Sequence, residues 1–133
     1  TTQINFNSLQ MGERAGFVLF GKSYAGLELN NTEKGLHLNY IECNKADKGT
    51  EEQVKTIVRN APKTLFLRMH VSSDAVASFE YSLDGAVYVG VGERFTAAAG
   101  VWVGAKMGYY CTSIRPTNDA GYLEIKSMTI QNK

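Results

Sequence analysis

"VWVGAKMGYY" (residues 101–110) separates into two strings when every second residue is read. Val101, Val103, Ala105, Met107 and Tyr109 form one string. Trp102, Gly104, Lys106, Gly108 and Tyr110 form the other. A β-strand sends alternate side chains to opposite faces. The first string therefore reads as core. The second reads as an outward row in which large aromatics alternate with glycines and a lysine. That parity sets the fold class, because a period of two recurs along the chain and no convincing helical period does.

Strands are expected near 3–6, 13–20, 24–30, 35–42, 54–58, 64–72, 76–82, 87–91, 102–110 and 121–131. "ASFEYSLDGAVYVGVG" places Asp84-Gly85 between two alternating runs, and Asp-Gly favours a two-residue hairpin turn with positive φ at both positions. "ELNNTEKGLHL" gives a second hairpin, with Asn30, Asn31 and Gly35 at its bend. "NKADKGTEEQ" (44–53) is polar and loop-like, with room for one helical turn. Ten closely spaced strands argue for an all-β sandwich or barrel. A lipid-binding barrel needs a helix–turn–helix lid after its first strand. "ERAGFVLFGKSYAGLELN" occupies that place and reads as a hairpin, which favours the sandwich.

The 133 residues suit one domain, 1–133, with one core. A net charge of +1 gives no electrostatic case for nucleic acid or an anionic membrane as partner. No apolar run approaches the ~18–20 residues of a membrane helix. Cys43 and Cys111 lack metal-type spacing and read as two buried thiols, with a single disulfide as the alternative. His37 and His70, the only histidines, are distant from both cysteines in sequence.

The alternation extends to neighbouring strands. In "TLFLRMHV", Leu65, Leu67, Met69 and Val71 oppose Phe66, Arg68 and His70. In "SFEYS", Phe79 and Tyr81 oppose Glu80 and Ser82. In "GLHLNY", Leu36, Leu38 and Tyr40 oppose His37 and Asn39; in "YAGLELN", Ala25, Leu27 and Leu29 oppose Tyr24, Gly26, Glu28 and Asn30. If these strands share a sheet, its outer face gathers Glu28, His37, Asn39, Arg68, His70, Glu80, Trp102, Lys106 and Tyr110. Such a face suits carbohydrate. Asn, Arg and Glu present planar hydrogen-bonding groups to hydroxyls, and Trp or Tyr rings stack on the C–H patches of a sugar. Gly104 and Gly108 leave a groove beside the rings. The competing reading is a solvated sandwich face with Trp102 as packing and glycines marking a bulge.

No G-x-S-x-G elbow, P-loop or H-E-x-x-H occurs. Glu28 and Glu80 are the carboxylates that a shared face would bring together, with nothing in the sequence to set the separation that glycoside hydrolysis requires. Asp84, Asn118 and Asp119 carry the oxygen ligands calcium takes, but turn formation accounts for them equally well, so no cofactor is expected.

"FEYSLDGAVYVGVGERFTAAAGVWVGAKMGYYC" resembles the concanavalin A-like domain at the C-terminus of β-xylosidases and arabinofuranosidases of glycoside hydrolase family 43. The shared order is F-x-Y-S-x-D-G, then G-E-x-F-T-A, then G-x-W-x-G-A-K-x-G. "GERAGFVLF", "LFLRMHV" and "GYLEIKSMTI" match further strands, so the resemblance runs from about Ile4 to Ile130. It implies a jelly-roll sandwich of two antiparallel sheets, a non-catalytic accessory module of a polysaccharide-degrading enzyme. It further implies a catalytic β-propeller in cis, a xylan- or arabinan-type ligand, and an extracellular or periplasmic location. Some xylosidase members carry an aromatic near Lys106, and the lysine here departs from their use of this domain to close the active site. Family domains generally run longer at the start, so a trimmed sandwich with an open strand edge, and hence a homodimer or a covered edge, is expected.

Overall fold

Period-two alternation builds two antiparallel sheets in the computed structural model, which describes residues 1–99, 104–114 and 121–132. The strands are β1 (Thr2–Asn5), β2 (Glu13–Phe20), β3 (Tyr24–Thr32), β4 (Gly35–Cys43), β5 (Gln53–Val58) and β6 (Thr64–Val71). They continue with β7 (Val76–Ser82), β8 (Val89–Gly90), β9 (Phe95–Thr96), β10 (Lys106–Ser113) and β11 (Glu124–Met128). The first sheet runs β11-β1-β6-β7-β8, with β9 also on β7; the second runs β10-β2-β3-β4-β5. A single 3-10 turn, Ala46–Lys48, interrupts the polar 44–53 stretch.

The apolar strings face each other between the sheets. Ile4, Leu65, Leu67 and Phe79 from the first sheet meet Phe17, Leu27, Leu29, Leu38 and Tyr40 from the second, all essentially inaccessible to water. Burying each such side chain contributes about 1.5–3 kcal/mol. Two contacts tie the layers directly. The Tyr40 and Phe79 rings lie 5.7 Å apart. Tyr109, stacked on Phe17 at 5.1 Å, donates its hydroxyl to Thr2 Oγ1 at 2.8 Å. Tyr109 thus takes the inward position that parity assigned to it.

Several local expectations change. The bend of the second hairpin falls at Glu33 and Lys34, because β3 pairs with β4 through Asn30 and Asn31 as far as Thr32 opposite Gly35. Thr32 Oγ1 accepts from Lys34 N at 3.1 Å and donates to Gly35 O at 2.9 Å, which closes the turn there. The Asp84-Gly85 hairpin is a wider loop spanning residues 83–88, with Tyr81 opposite Val89. Gly85 has φ +79, while Asp84 does not enter the left-handed region. The reason is side-chain competition: Ser82 Oγ accepts from Gly85 N at 2.9 Å, and Asp84 Oδ1 accepts from Ala86 N at 2.8 Å and Val87 N at 3.0 Å. These bonds replace the tight-turn ladder. Cys43 is buried as a free thiol, but Cys111 is exposed and also free, because it lies towards the end of the edge strand β10.

The largest correction concerns sheet membership. β6 and β7 belong to the first sheet, whereas β3, β4 and β10 belong to the second. Arg68, His70 and Glu80 therefore occupy a different outer face from Glu28, His37, Asn39, Lys106 and Tyr110. Alternation assigns each residue a side of its own strand, but not which strands are neighbours.

Candidate functional site

Register arranges the outer face of the second sheet in rows. Lys106, Phe20 and Tyr24 form one row, and Gly108, Val18 and Gly26 the next. Tyr110, Gly16, Glu28 and Asn39 follow, then Thr112, Arg14, Asn30 and His37. Between these rows lies a groove of about 500 Å3 lined by Arg14, Val18, Phe20, Tyr24, Glu52 and the β10 residues Lys106, Gly108 and Tyr110.

The alternation of aromatics and glycines has a direct structural meaning here. The Tyr110 ring lies flat over Gly16, where a Cβ would come within 2.5 Å of Cε1. Its hydroxyl donates to the Glu28 carboxylate, which pins the ring in place. Gly108 plays the opposite part. A Cβ there meets nothing within 4 Å, so its missing side chain is open groove. At one end Phe20 is 58% exposed and its ring stacks beside Tyr24 at 6.2 Å.

A charged network runs beneath. Glu28 is almost wholly buried, with Arg14 Nη1 at 3.5 Å. The same Nη1 lies 3.1 Å from Glu52 Oε1, and Tyr24 donates to Glu52 Oε2 at 2.7 Å. Burial pushes the Glu28 carboxyl above its ordinary value, against the opposing pull of Tyr110, Arg14 and Asn39. The phenols respond in the same direction. Burial and then the Glu28 charge hold Tyr110 protonated, and burial with the Glu52 hydrogen bond holds Tyr24 protonated. Burial works against the Arg14 charge, and the two carboxylates more than offset it. Both phenols are therefore fixed donors, and their orientation is fixed with them.

The structure brings Lys106 and Tyr110 to this groove and places His37 on the same face beside Asn30. Glu28 and Asn39 share the face by parity, yet they are buried at 1% and 4% exposure and are not presented to solvent. Trp102 lies outside the described residues, as do Asn118 and Asp119. Glu28 and Glu80, on different sheets, do not form a facing carboxylate pair. Among the described residues no three His, Cys, Asp or Glu side chains gather at a metal-sized point.

Of the groove residues named above, Arg14, Val18, Phe20, Tyr24 and Glu52 were not singled out from sequence as site residues. The outward parity of Tyr24 was legible. In β2 the outward Val18 and Phe20 are as apolar as their inward neighbours, which hides the alternation. Glu52 arrives on the polar 44–53 stretch, and a loop carries no periodic signal.

On the first sheet, Arg68 Nη1 lies 3.4 Å from Glu80 Oε2, and His70 Nε2 lies 3.1 Å from the same oxygen. The Arg68 guanidinium carbon sits 3.3 Å from the centroid of Tyr88. This cluster lies on the first sheet, away from the groove of the second.

Comparison with known proteins agrees with this architecture. The model of the β-xylosidase C-terminal concanavalin A-like domain matches residues 1–130. A β-xylosidase from Formosa agariphila is 30% identical over 129 residues, which is 96% of this chain and 20% of that protein. A solved structure of a family 43 glycoside hydrolase, engineered to display both endo-xylanase and exo-arabinofuranosidase activity, shares the fold with a TM-score of 0.76 at 19% identity. The match covers 94% of this chain and 27% of that one. The chain spans about a fifth of the length of its curated relative. With two facing antiparallel sheets and a family match over nearly every residue, the chain belongs to the β-xylosidase C-terminal concanavalin A-like domain family.

Proposed function

We propose that the chain is a non-catalytic accessory module of a plant-polysaccharide-degrading glycoside hydrolase, and that the groove on its second sheet binds a neutral glycan of the xylan or arabinan type. The observation that carries this reading is the exposed Phe20 ring beside Tyr24, next to the open space over Gly108. A flat ring offers the C–H face of a sugar its stacking surface. Lys106, Arg14 and Glu52 line the same groove and suit the hydroxyls. The names of the relatives, a β-xylosidase and an enzyme acting on xylan and arabinofuranosides, favour pentose polymers. An extracellular or periplasmic location goes with such a substrate.

Calorimetric titration of xylo- and arabino-oligosaccharides tests it. Loss of the ring in Phe20→Ala weakens binding by about 2–12-fold, the equivalent of a stacking contact of ~0.5–1.5 kcal/mol. Gly108→Leu blocks the groove and leaves the fold intact, because nothing stands within 4 Å of the new Cβ. Flat titrations across the panel, or unaltered affinity in the folded Gly108→Leu variant, contradict the reading.

A structural role, packing on a catalytic propeller in cis without sugar binding, is the second reading. It is favoured by the edge strand β11, where Ile125, Met128 and the following Ile130 are all exposed. A row of uncovered apolar side chains on an edge suits a covering partner.

A further inference from the structure

The groove on the second sheet is open at one end and closed at the other. Its lining takes in both parities of β10: Lys106, Gly108 and Tyr110 on one side, Met107 and Tyr109 on the other. Alternate side chains of a strand point to opposite faces, so a groove meets both sets where it spills over the strand's free edge. β10 is the outermost strand of its sheet among the described residues. Met107 is half-exposed there, and nothing stands within 4 Å of a Cβ on Gly108. The mouth of the groove is therefore at the β10 edge.

Side chains shut the other end. Glu52 immediately precedes β5 and comes in from the opposite edge of the sheet. Tyr24, in the row of Lys106 and Phe20, donates to Glu52 Oε2 at 2.7 Å. Arg14, three rows further on, donates from Nη1 to Glu52 Oε1 at 3.1 Å. The bonded series Tyr24–Glu52–Arg14 spans the rows in between, the row of Gly108 and Val18 among them. Behind it the outward positions of β4 are covered: Ile41, opposite Gly26, and Asn39, opposite Glu28, are both buried. No described residue of β4 or β5 lines the groove. The reach from β10 to β3 is two strand spacings, ~10 Å. A short end of a sugar chain fits that depth, and Glu52 bars the chain from running on across the sheet.

Glu52 also supplies the chemistry of an end wall. Each carboxylate oxygen accepts one protein donor, the side chain remains 21% exposed, and each oxygen keeps a lone pair for a second donor. A sugar hydroxyl is such a donor. The terminal residue of a glycan carries a hydroxyl that every internal residue has given up to a glycosidic bond. We infer that the groove recognises the end of a xylan- or arabinan-type chain, terminal residue innermost, with a terminal hydroxyl donated to Glu52. The inference rests on the glycan reading of this groove and adds which part of the polymer enters it.

Calorimetric titration of the whole chain with xylotriose, xylotetraose and xylohexaose tests it. A groove open at both ends gains affinity with length, through added contacts and added registers. A groove closed by Glu52 does not, so Kd is expected to stay constant within threefold across the series. Two blocked forms of xylotriose probe the terminus itself: the methyl glycoside, capped at the reducing end, and the form 4-O-methylated at the non-reducing end. One of the two is expected to bind at least tenfold more weakly than xylotriose. Glu52→Ala removes the wall, weakens xylotriose and makes xylohexaose the tighter ligand. Should Glu52→Ala fail to fold, the length series and the blocked sugars on the native chain still decide. Affinity that rises more than threefold from xylotriose to xylohexaose, or undiminished binding of both blocked forms, overturns the end assignment and leaves the glycan reading standing. Absence of binding by every oligosaccharide overturns the glycan reading and the end assignment with it.

Discussion

At residue 110 one phenol explains why a strand alternates rings with glycines. Tyr110 covers Gly16 and donates to Glu28, so the ring is both packed and anchored. Gly16→Val pushes a branched side chain into a ring that cannot swing away without breaking that hydrogen bond. The expected cost is about 1–3 kcal/mol of overpacking, read as a lower urea midpoint with unchanged slope. An unchanged midpoint contradicts the placement of the ring. The outward position of Tyr110 was legible from parity alone. Its partner Gly16 was not, because the two are far apart in sequence and meet only through the β10–β2 register. Glu28 was read as a surface acid for the same reason: nothing local announces that a distant phenol will cover it.

Between residue and fold, the β7–β8 connection shows where element reading succeeds and where it stops. The two alternating runs and the turn between them were legible, and so were most of the longer strands. The turn type was not, because Ser82 and Asp84 bind backbone N–H groups that a two-residue turn would leave elsewhere. The N–H groups of Val87 and Ala86 hold the Asp84 carboxyl below its ordinary value. A depressed carboxyl contributes stability that is present above the unfolded value near 3.8 and lost as pH falls through the folded one. Asp84→Ala is therefore expected to speed hydrogen exchange at Ala86 and Val87 at neutral pH. In the native chain the same amides lose protection only on acidification below that range. Equal exchange in both proteins at neutral pH argues against the loop network. The two-residue strands β8 and β9 escape pattern reading altogether, since two residues carry no period.

On the scale of the whole molecule, the period of two takes Leu27, Leu38, Leu65, Leu67 and Phe79 to the core, but Met107 and Val71, read as inward, are 42% and 51% exposed, and Glu28 and Asn39, read as outward, are buried. It does not say which strands share a sheet. The single polar face expected from sequence is therefore two faces, separated by the thickness of the sandwich. The second sheet presents uncovered aromatic surface beside a glycine gap. The first presents an arginine laid over a tyrosine. The division separates the groove beside Phe20 and Gly108 from the Arg68–Glu80–His70 cluster, which lies on the other sheet.

Amide shift mapping with unbranched xylotetraose tests the neutral-glycan assignment most directly. The account predicts perturbations confined to Gly16, Phe20, Tyr24 and the Lys106–Tyr110 stretch of β10, with β6 and β7 silent. Perturbations centred on β6 and β7, or none at saturating sugar, would contradict it.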